Sequence, residues 1–200
     1  MRRTLIKNIM HKQLAHYIQD KIAISEEELN VILNCFKVMH PAKNDLLVMQ
    51  GELGNQMYFV NKGCVRIFFI NELGQESTRF LAFENNFASA LVSFITNAAS
   101  LEHVQALQDS ELLYISRNDF FYLLENLPIW EKFYRHYLEF AYVTNTNRLM
   151  SFITMDARER YDDLLEKRPL VVKRLPNKIV ASYLNISQET LSRIKSKGIR

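Results

Sequence analysis

Three side chains near the end of the sequence, Glu189, Ser192 and Arg193 in the stretch NISQETLSRIKSK, stand at positions i, i+3 and i+4 and so share one face of any helix they occupy. A carboxylate so placed can accept a hydrogen bond from cytosine N4, and a guanidinium can donate two to guanine O6 and N7. Gln188 and Thr190 flank the trio, within reach of a base edge or a phosphate, while Lys178, Lys195 and Lys197 suit phosphates. Glu189 and Arg193 can equally form a plain i, i+4 ion pair worth about 0.3–0.5 kcal/mol. The helix dipole favours a glutamate near the N-terminus in either case.

Such a helix is weak alone, because its buried side has only Leu191 and Ile194. The preceding KIVASYL supplies partners: Val180, Leu184 and Ile186, with small Ala181 where two helices would cross. Asn185 tolerates a left-handed turn, and Ser187 is a good N-cap for the second helix. The spacing predicts a helix-turn-helix whose five apolar residues pack on a third helix. In that geometry the first residues of the second helix enter the major groove.

Charge supports a polyanion partner. The net charge is +3, but residues 157–200 hold 11 Lys and Arg against 5 Asp and Glu, leaving +6, whereas residues 1–156 hold 14 against 17, leaving −3. Clustered basicity of this kind is rewarded by nucleic-acid phosphates. It can also be a solvated basic surface.

Upstream, Ser25-Glu26-Glu27-Glu28 has capping-box spacing, with Ile24 and Leu29 as a hydrophobic staple. A helix should start near Glu26 and end before Pro41, and an earlier one is expected over roughly residues 4–20. From Leu46, short apolar runs alternate with turn residues: LLVM, MYFV and CVRIFFI, divided by Gly51, Gly54-Asn55 and Asn61-Lys62-Gly63 and closed by Asn71-Glu72-Leu73-Gly74. They read as antiparallel strands of a sandwich or barrel. Val104–Leu107 and Leu112–Ile115 add later strands, and periodicity leaves FASALVSFI open between a short helix and a buried turn.

A further helix is expected from Asn118 to Asn126. Pro128 then fits the first turn of a much longer one reaching about Ile153. Along it Phe133, Tyr137, Phe140, Thr144 and Asn147 recur at alternating spacings of three and four, a coiled-coil seam. About 26 residues at 1.5 Å each give roughly 39 Å, more than a small β domain needs for cover. A second copy of the chain is the expected partner. Asp156-Ala157-Arg158-Glu159 repeats the capping pattern and puts a hinge near Thr154–Asp156. The expected domains are 1–127, 128–154 and 155–200, and the fold class is α+β: flanking helices on an antiparallel, jelly-roll-like β-roll, a long dimerisation helix, and a C-terminal helix-turn-helix.

The 200 residues are 48% hydrophobic, enough for one or two modest cores. No apolar run approaches the ~18 residues that span a bilayer, and MRRTLIKNIMHK lacks a signal's unbroken apolar core. No membrane partner and a cytoplasmic location are therefore expected. Cys35 and Cys64 are too few for a zinc or cysteine-ligated cluster site. His11, His16, His40, His103 and His136 are scattered, so neither a metal, a cofactor nor enzymatic catalysis is expected.

The order of β-roll, long helix and helix-turn-helix resembles the Crp/Fnr superfamily of bacterial transcription regulators. VMQGELGNQMYFVNKGCVRIFFINELGQE looks like that family's roll, with Gly51, Gly63 and Gly74 at turns, and SQETLSRI is similar to its recognition helix. The resemblance implies a homodimer on double-stranded DNA, with Glu189, Ser192 and Arg193 reading each half of a palindrome with a TGA-like core. It also implies a dimer helix that relays ligand binding, and RNA polymerase as a partner. One departure concerns the ligand. Where cyclic-nucleotide-binding members carry a Gly-Glu and an Arg-Ser pair, this chain has Ser89-Ala90 and Ser100-Leu101, and residues 80–116 contain no Lys or Arg. A buried phosphate would lack its partners, at a cost of several kcal/mol, so cyclic AMP is not expected. The roll is expected to take a neutral or apolar effector through Ser89, Ala90, Ser93, Thr96 and Ser100, or to bind none; Thr144 and Asn145, with Thr146 and Asn147, stand where relatives close that pocket, but are expected rather to fix the register and pairing of the long helices. A second departure is the missing β-hairpin wing after the recognition helix, for which RPLVVKRL is a substitute candidate. The competing reading is a ligand-binding roll acting through protein partners without DNA.

Overall fold

The computed structural model describes residues 10–197. The chain divides into two compact units, one of residues up to Ile67 with Leu81–Glu139, the other of Phe68–Phe80 with Phe140 onward.

In the first unit, helix α1 (Lys12–Gln19) precedes α2 (Glu26–Asn34). The Ser25 capping box forms as expected: the Ser25 hydroxyl accepts from the Glu28 N–H while Glu28 Oε2 accepts from the Ser25 N–H at 3.1 Å. The part of the expected 4–20 helix before residue 10 lies outside the described residues. Among the described residues eight strands follow, with the outer parts of β4 and β5 falling in the second unit: β1 (Lys37–Met39), β2 (Leu46–Val48), β3 (Gln56–Lys62), β4 (Val65–Ile70), β5 (Glu76–Ala82), β6 (Phe87–Ala88), β7 (His103–Ala106) and β8 (Glu111–Ser116). They form two four-stranded sheets in the orders β1-β8-β3-β6 and β2-β7-β4-β5. β3 runs antiparallel to β8 with Tyr58 opposite Tyr114 and Phe59 opposite Leu113. FASALVSFI is both of its options in turn, since β6 takes its first two residues and helix α3 (Leu91–Thr96) the latter part.

Helix α4 (Arg117–Asn126) starts from Ser116, whose hydroxyl accepts from the Asp119 N–H. Helix α5 (Pro128–Thr154) spans 27 residues. The first unit's core joins α1, α2, β3, β6, β8, α4 and the start of α5 through Leu14, Ile32, Phe59, Phe87, Phe120, Trp130 and Phe133. Phe133, assigned to a chain–chain seam by its spacing, is instead 3% exposed and stacked on Trp130, with ring centroids 4.9 Å apart. Tyr137 packs edge-on against Phe87 in the same core.

A tight turn between β3 and β4 rests on Gly63, whose φ is +107° and where an added Cβ would lie 2.2 Å from the Ser110 hydroxyl oxygen. Gly63→Ala is therefore expected to destabilise the first unit by about 1–3 kcal/mol, read as a lower urea midpoint in Trp130 fluorescence.

The second unit contains the outer part of the β4–β5 hairpin and the chain from Phe140. Helices α6 (Ala157–Lys167), α7 (Pro169–Arg174), α8 (Asn177–Leu184) and α9 (Gln188–Lys197) complete it. Asp156 caps α6 in a reciprocal box with Glu159, as the sequence predicts. RPLVVKRL forms α7 and is not a wing strand. The core of the unit includes Tyr161, Leu164, Val171, Leu175, Ile179, Val180, Tyr183, Leu184, Leu191 and Ile194. Four of the five predicted apolar contacts are thus buried, while Ile186 is half-buried in the turn. Among the described residues no helix is long and apolar enough to cross a membrane.

Candidate nucleic-acid interface

Helix α8 stops at Asn185, which adopts the left-handed conformation (φ 53°, ψ 50°) and lets the chain reverse without glycine. Ser187 then starts α9, its hydroxyl accepting from the Thr190 N–H at 3.1 Å. With Leu191 and Ile194 turned into the unit's core, the other faces of α9 are left to solvent: Gln188, Glu189, Ser192 and Arg193 are all exposed, and Thr190 is half-buried. The helix-turn-helix thus presents one carboxylate and one guanidinium outward, one turn apart.

Local bonds hold both groups in place. The Glu189 carboxyl lies below the ordinary carboxylate value, chiefly because it accepts from its own backbone N–H, then from the Ser187 hydroxyl, with the Arg193 charge a smaller influence. It is ionised at neutral pH and acts only as an acceptor. Arg193 Nη2 donates to Thr190 Oγ1 at 3.2 Å, which leaves donors of its fork for a base edge.

Two of the lysines assigned to phosphates are engaged. Lys178 Nζ is 3.0 Å from Glu76 Oε1, and Lys195 Nζ donates to Asn177 Oδ1 at 2.6 Å. Lys197 ends the described helix. Glu76 belongs to the hairpin segment of the same unit, where Ser182 Oγ donates to the Glu76 carbonyl at 2.9 Å and accepts from the Thr78 N–H at 2.9 Å. Hairpin residues therefore occupy part of the exposed edge of α8. Sequence reading missed β5, whose ESTRFLA mixes polar and apolar residues without clean alternation.

The hydroxyls proposed for an effector are spent inside the first unit. Ser89 Oγ donates to the Gln56 carbonyl, Ser93 Oγ accepts from the Gly54 N–H and donates to the Ala98 carbonyl, and Ser100 Oγ donates to the Glu102 carbonyl. Ser89, Ala90, Ser93 and Ser100 are all buried. Thr96 bonds back to the Val92 carbonyl. Thr144 and Asn145 border a pocket within the second unit. Bound among the roll hydroxyls, a cyclic nucleotide phosphate would meet oxygens already committed and no cation from residues 80–116. The residues present do not fit it. One buried cation of the first unit lay outside the reach of the sequence argument: Arg66 on β4, whose Nε donates to Gln105 Oε1 at 2.8 Å.

Along α5, Phe140 is 56% exposed, and Tyr142, Val143, Leu149, Met150 and Ile153 are likewise open to solvent. The apolar surface of the long helix is therefore displaced from the predicted seam: Phe140 stays in it, Asn147 is polar and exposed, and Phe133 leaves it for the core.

Residues 39–126 match the cyclic nucleotide-binding domain family. A cyclic AMP receptor protein of Thermus thermophilus is 28% identical over 106 residues, covering 53% of this chain and 49% of that protein, so the match spans about half the length of the curated relative. The crystal structure of the Thermus thermophilus catabolite activator protein aligns over 88% of this chain and 84% of its own at 25% identity, with a TM-score of 0.56. A Crp/Fnr-family regulator from Eubacterium rectale aligns over 86% of this chain and 82% of its own at 13% identity, with a TM-score of 0.67. The class is thus a cyclic nucleotide-binding-type β-roll joined to a helical C-terminal unit. Residues 39–126 are similar to that domain family, and the fold is similar to those of the Thermus thermophilus activator and the Crp/Fnr-family regulator.

Proposed function

We propose that the chain is a homodimeric, sequence-specific DNA-binding transcription regulator that reads a palindromic site with α9, and whose roll does not respond to cyclic AMP. The observation that carries this reading is the outward placement of Glu189, Ser192 and Arg193 on a helix that buries Leu191 and Ile194. A helix needed only as scaffold has no reason to hold that trio clear of its own fold, and helix-turn-helix proteins place the first turns of this helix in the major groove. The names of the relatives, a cyclic AMP receptor and a catabolite activator, support the regulator class. The missing phosphate partners argue against carrying the cyclic AMP over.

Fluorescence anisotropy on duplexes with TGA-type half-sites tests the reading. Arg193→Ala is expected to weaken specific binding by about 1–3 kcal/mol, roughly five- to 150-fold, and to relax the preference for guanine at one position per half-site. Wild-type affinity should fall steeply as salt rises, in proportion to the phosphates contacted. A salt-independent interaction with protein and none with duplex would favour the roll as a partner-binding module instead.

A further inference from the structure

The turn of the β4–β5 hairpin, residues 71–77, carries Glu72 and Glu76 and no Lys or Arg. It belongs to the second unit, and its bonds run to α8, the first helix of the helix-turn-helix. The Glu76 carboxylate lies 3.0 Å from Lys178 Nζ. Ser182, one turn further along α8, donates to the Glu76 carbonyl at 2.9 Å, accepts from the Thr78 N–H at 2.9 Å and stands with its Oγ 2.8 Å from Thr78 Oγ1. Arg148 of α5 joins the same arrangement: its Nη2 donates to the Thr78 carbonyl at 2.9 Å and to the Tyr183 carbonyl at 2.6 Å, so one guanidinium grips both strand and helix. Beyond these bonds, Gly74 and Gln75 line one cleft with Asn185, Ser187 and Gln188, at the start of α9.

In a helix-turn-helix complex the first helix crosses the DNA backbone while the start of the second enters the major groove. Lys178 and the Ser182 hydroxyl would there meet phosphate oxygens. The hairpin instead presents them with a carboxylate and a carbonyl, the same acceptor chemistry supplied from within the chain. A phosphate brought to Lys178 would also meet the Glu76 carboxylate, and like charges so close repel. Lys178 is exposed, so its bond to Glu76 is of the modest kind that a competing anion displaces.

We propose that the exposed edge of α8 is one surface with two competing occupants, the DNA backbone and this chain's own β4–β5 hairpin, so that the docked hairpin lowers the affinity for duplex. The proposal rests on the regulator reading above. Because Arg148 holds Thr78 from α5, a shift of that helix bears directly on how firmly the hairpin is docked.

A full chain carrying Thr78→Cys and Ser182→Cys tests this by anisotropy on the same duplexes, oxidised and reduced. The two hydroxyl oxygens are 2.8 Å apart, so mild oxidation of the DNA-free chain should join the cysteines. The joined chain is expected to bind duplex at least tenfold more weakly than the same chain after reduction, and a chain with Ser182→Cys alone to bind equally in both states. Glu76→Gln loosens the hairpin without touching α8 and should tighten duplex binding about two- to fivefold. Glu72→Gln, the same change of charge at an exposed position of the turn, should tighten it less. Should the double variant unfold, these two decide alone, and equal affinities overturn the proposal. Cysteines that do not join in the folded chain overturn it too, as does a joined chain that binds duplex as tightly as the reduced one or more so. In each of those cases wild-type binding leaves the regulator reading standing, whereas a wild type that binds no duplex overturns that reading and the competition with it.

Discussion

Phe133→Ala is expected to destabilise the first unit by about 3–5 kcal/mol, with little direct effect on association between chains. The side chain is 3% exposed, stacks on Trp130 and meets Phe87 and Tyr17 edge-on at centroid distances of 6.0 and 6.1 Å. Truncation removes most of a buried ring and leaves a cavity that a core crowded with aromatic residues cannot readily collapse into. Trp130 is the sole tryptophan and is fully buried beside it, so its fluorescence in a urea titration reports on this unit. Phe140→Ala, two turns further along the same helix and 56% exposed, should shift the midpoint by no more than about 0.5 kcal/mol. If the two variants show the reverse, with Phe133→Ala well folded but dissociated, the burial assigned to Phe133 is wrong.

The contrast between those residues shows what sequence could and could not disclose. Spacing of three and four from Phe133 through Tyr137 to Phe140 reveals a stripe on a helix, but not what the stripe faces. Its first part faces α1 and β6, elements distant in sequence, as well as the neighbouring α4, and the later part is open. Signals carried by a few neighbouring residues fared better. The capping boxes at Ser25 and Asp156, the left-handed Asn185 and the N-cap at Ser187 all appear in the structure, because their hydrogen bonds close within three or four residues. The exposed face of α9 was legible for the same reason. The Lys178–Glu76 pair was not, since it joins residues far apart in the chain.

The roll shows a different limit. Resemblance places a ligand among Ser89, Ser93 and Ser100, and a serine in a sequence looks like a free hydroxyl. In the structure each is occupied with main-chain carbonyls or N–H groups. Withdrawing such a bond to serve a ligand costs about 1–3 kcal/mol for the group left behind. The seryl hydroxyls are better understood as closing the loops around α3 than as an effector's first contacts.

A chain with both Leu149→Asp and Ile153→Asp is expected to sediment as a monomer and to bind a palindromic duplex about 10²–10⁴-fold more weakly than wild type. The two positions stand one turn apart on α5 and are 61% and 69% exposed, so neither substitution disturbs a core. Like charges facing each other across a symmetric helix pair are unfavourable, and the pair would lose the apolar area that holds it. Once the subunits separate, each half-site is bound alone and the gain from tethering two recognition helices disappears. Four added negative charges per dimer would also repel DNA, so the Leu149→Lys, Ile153→Lys chain is the decisive companion. Its added positive charges favour duplex binding but oppose pairing of the helices just as strongly. Loss of affinity in both variants assigns the effect to dissociation, whereas loss in the aspartate chain alone assigns it to charge and leaves α5 without its proposed role.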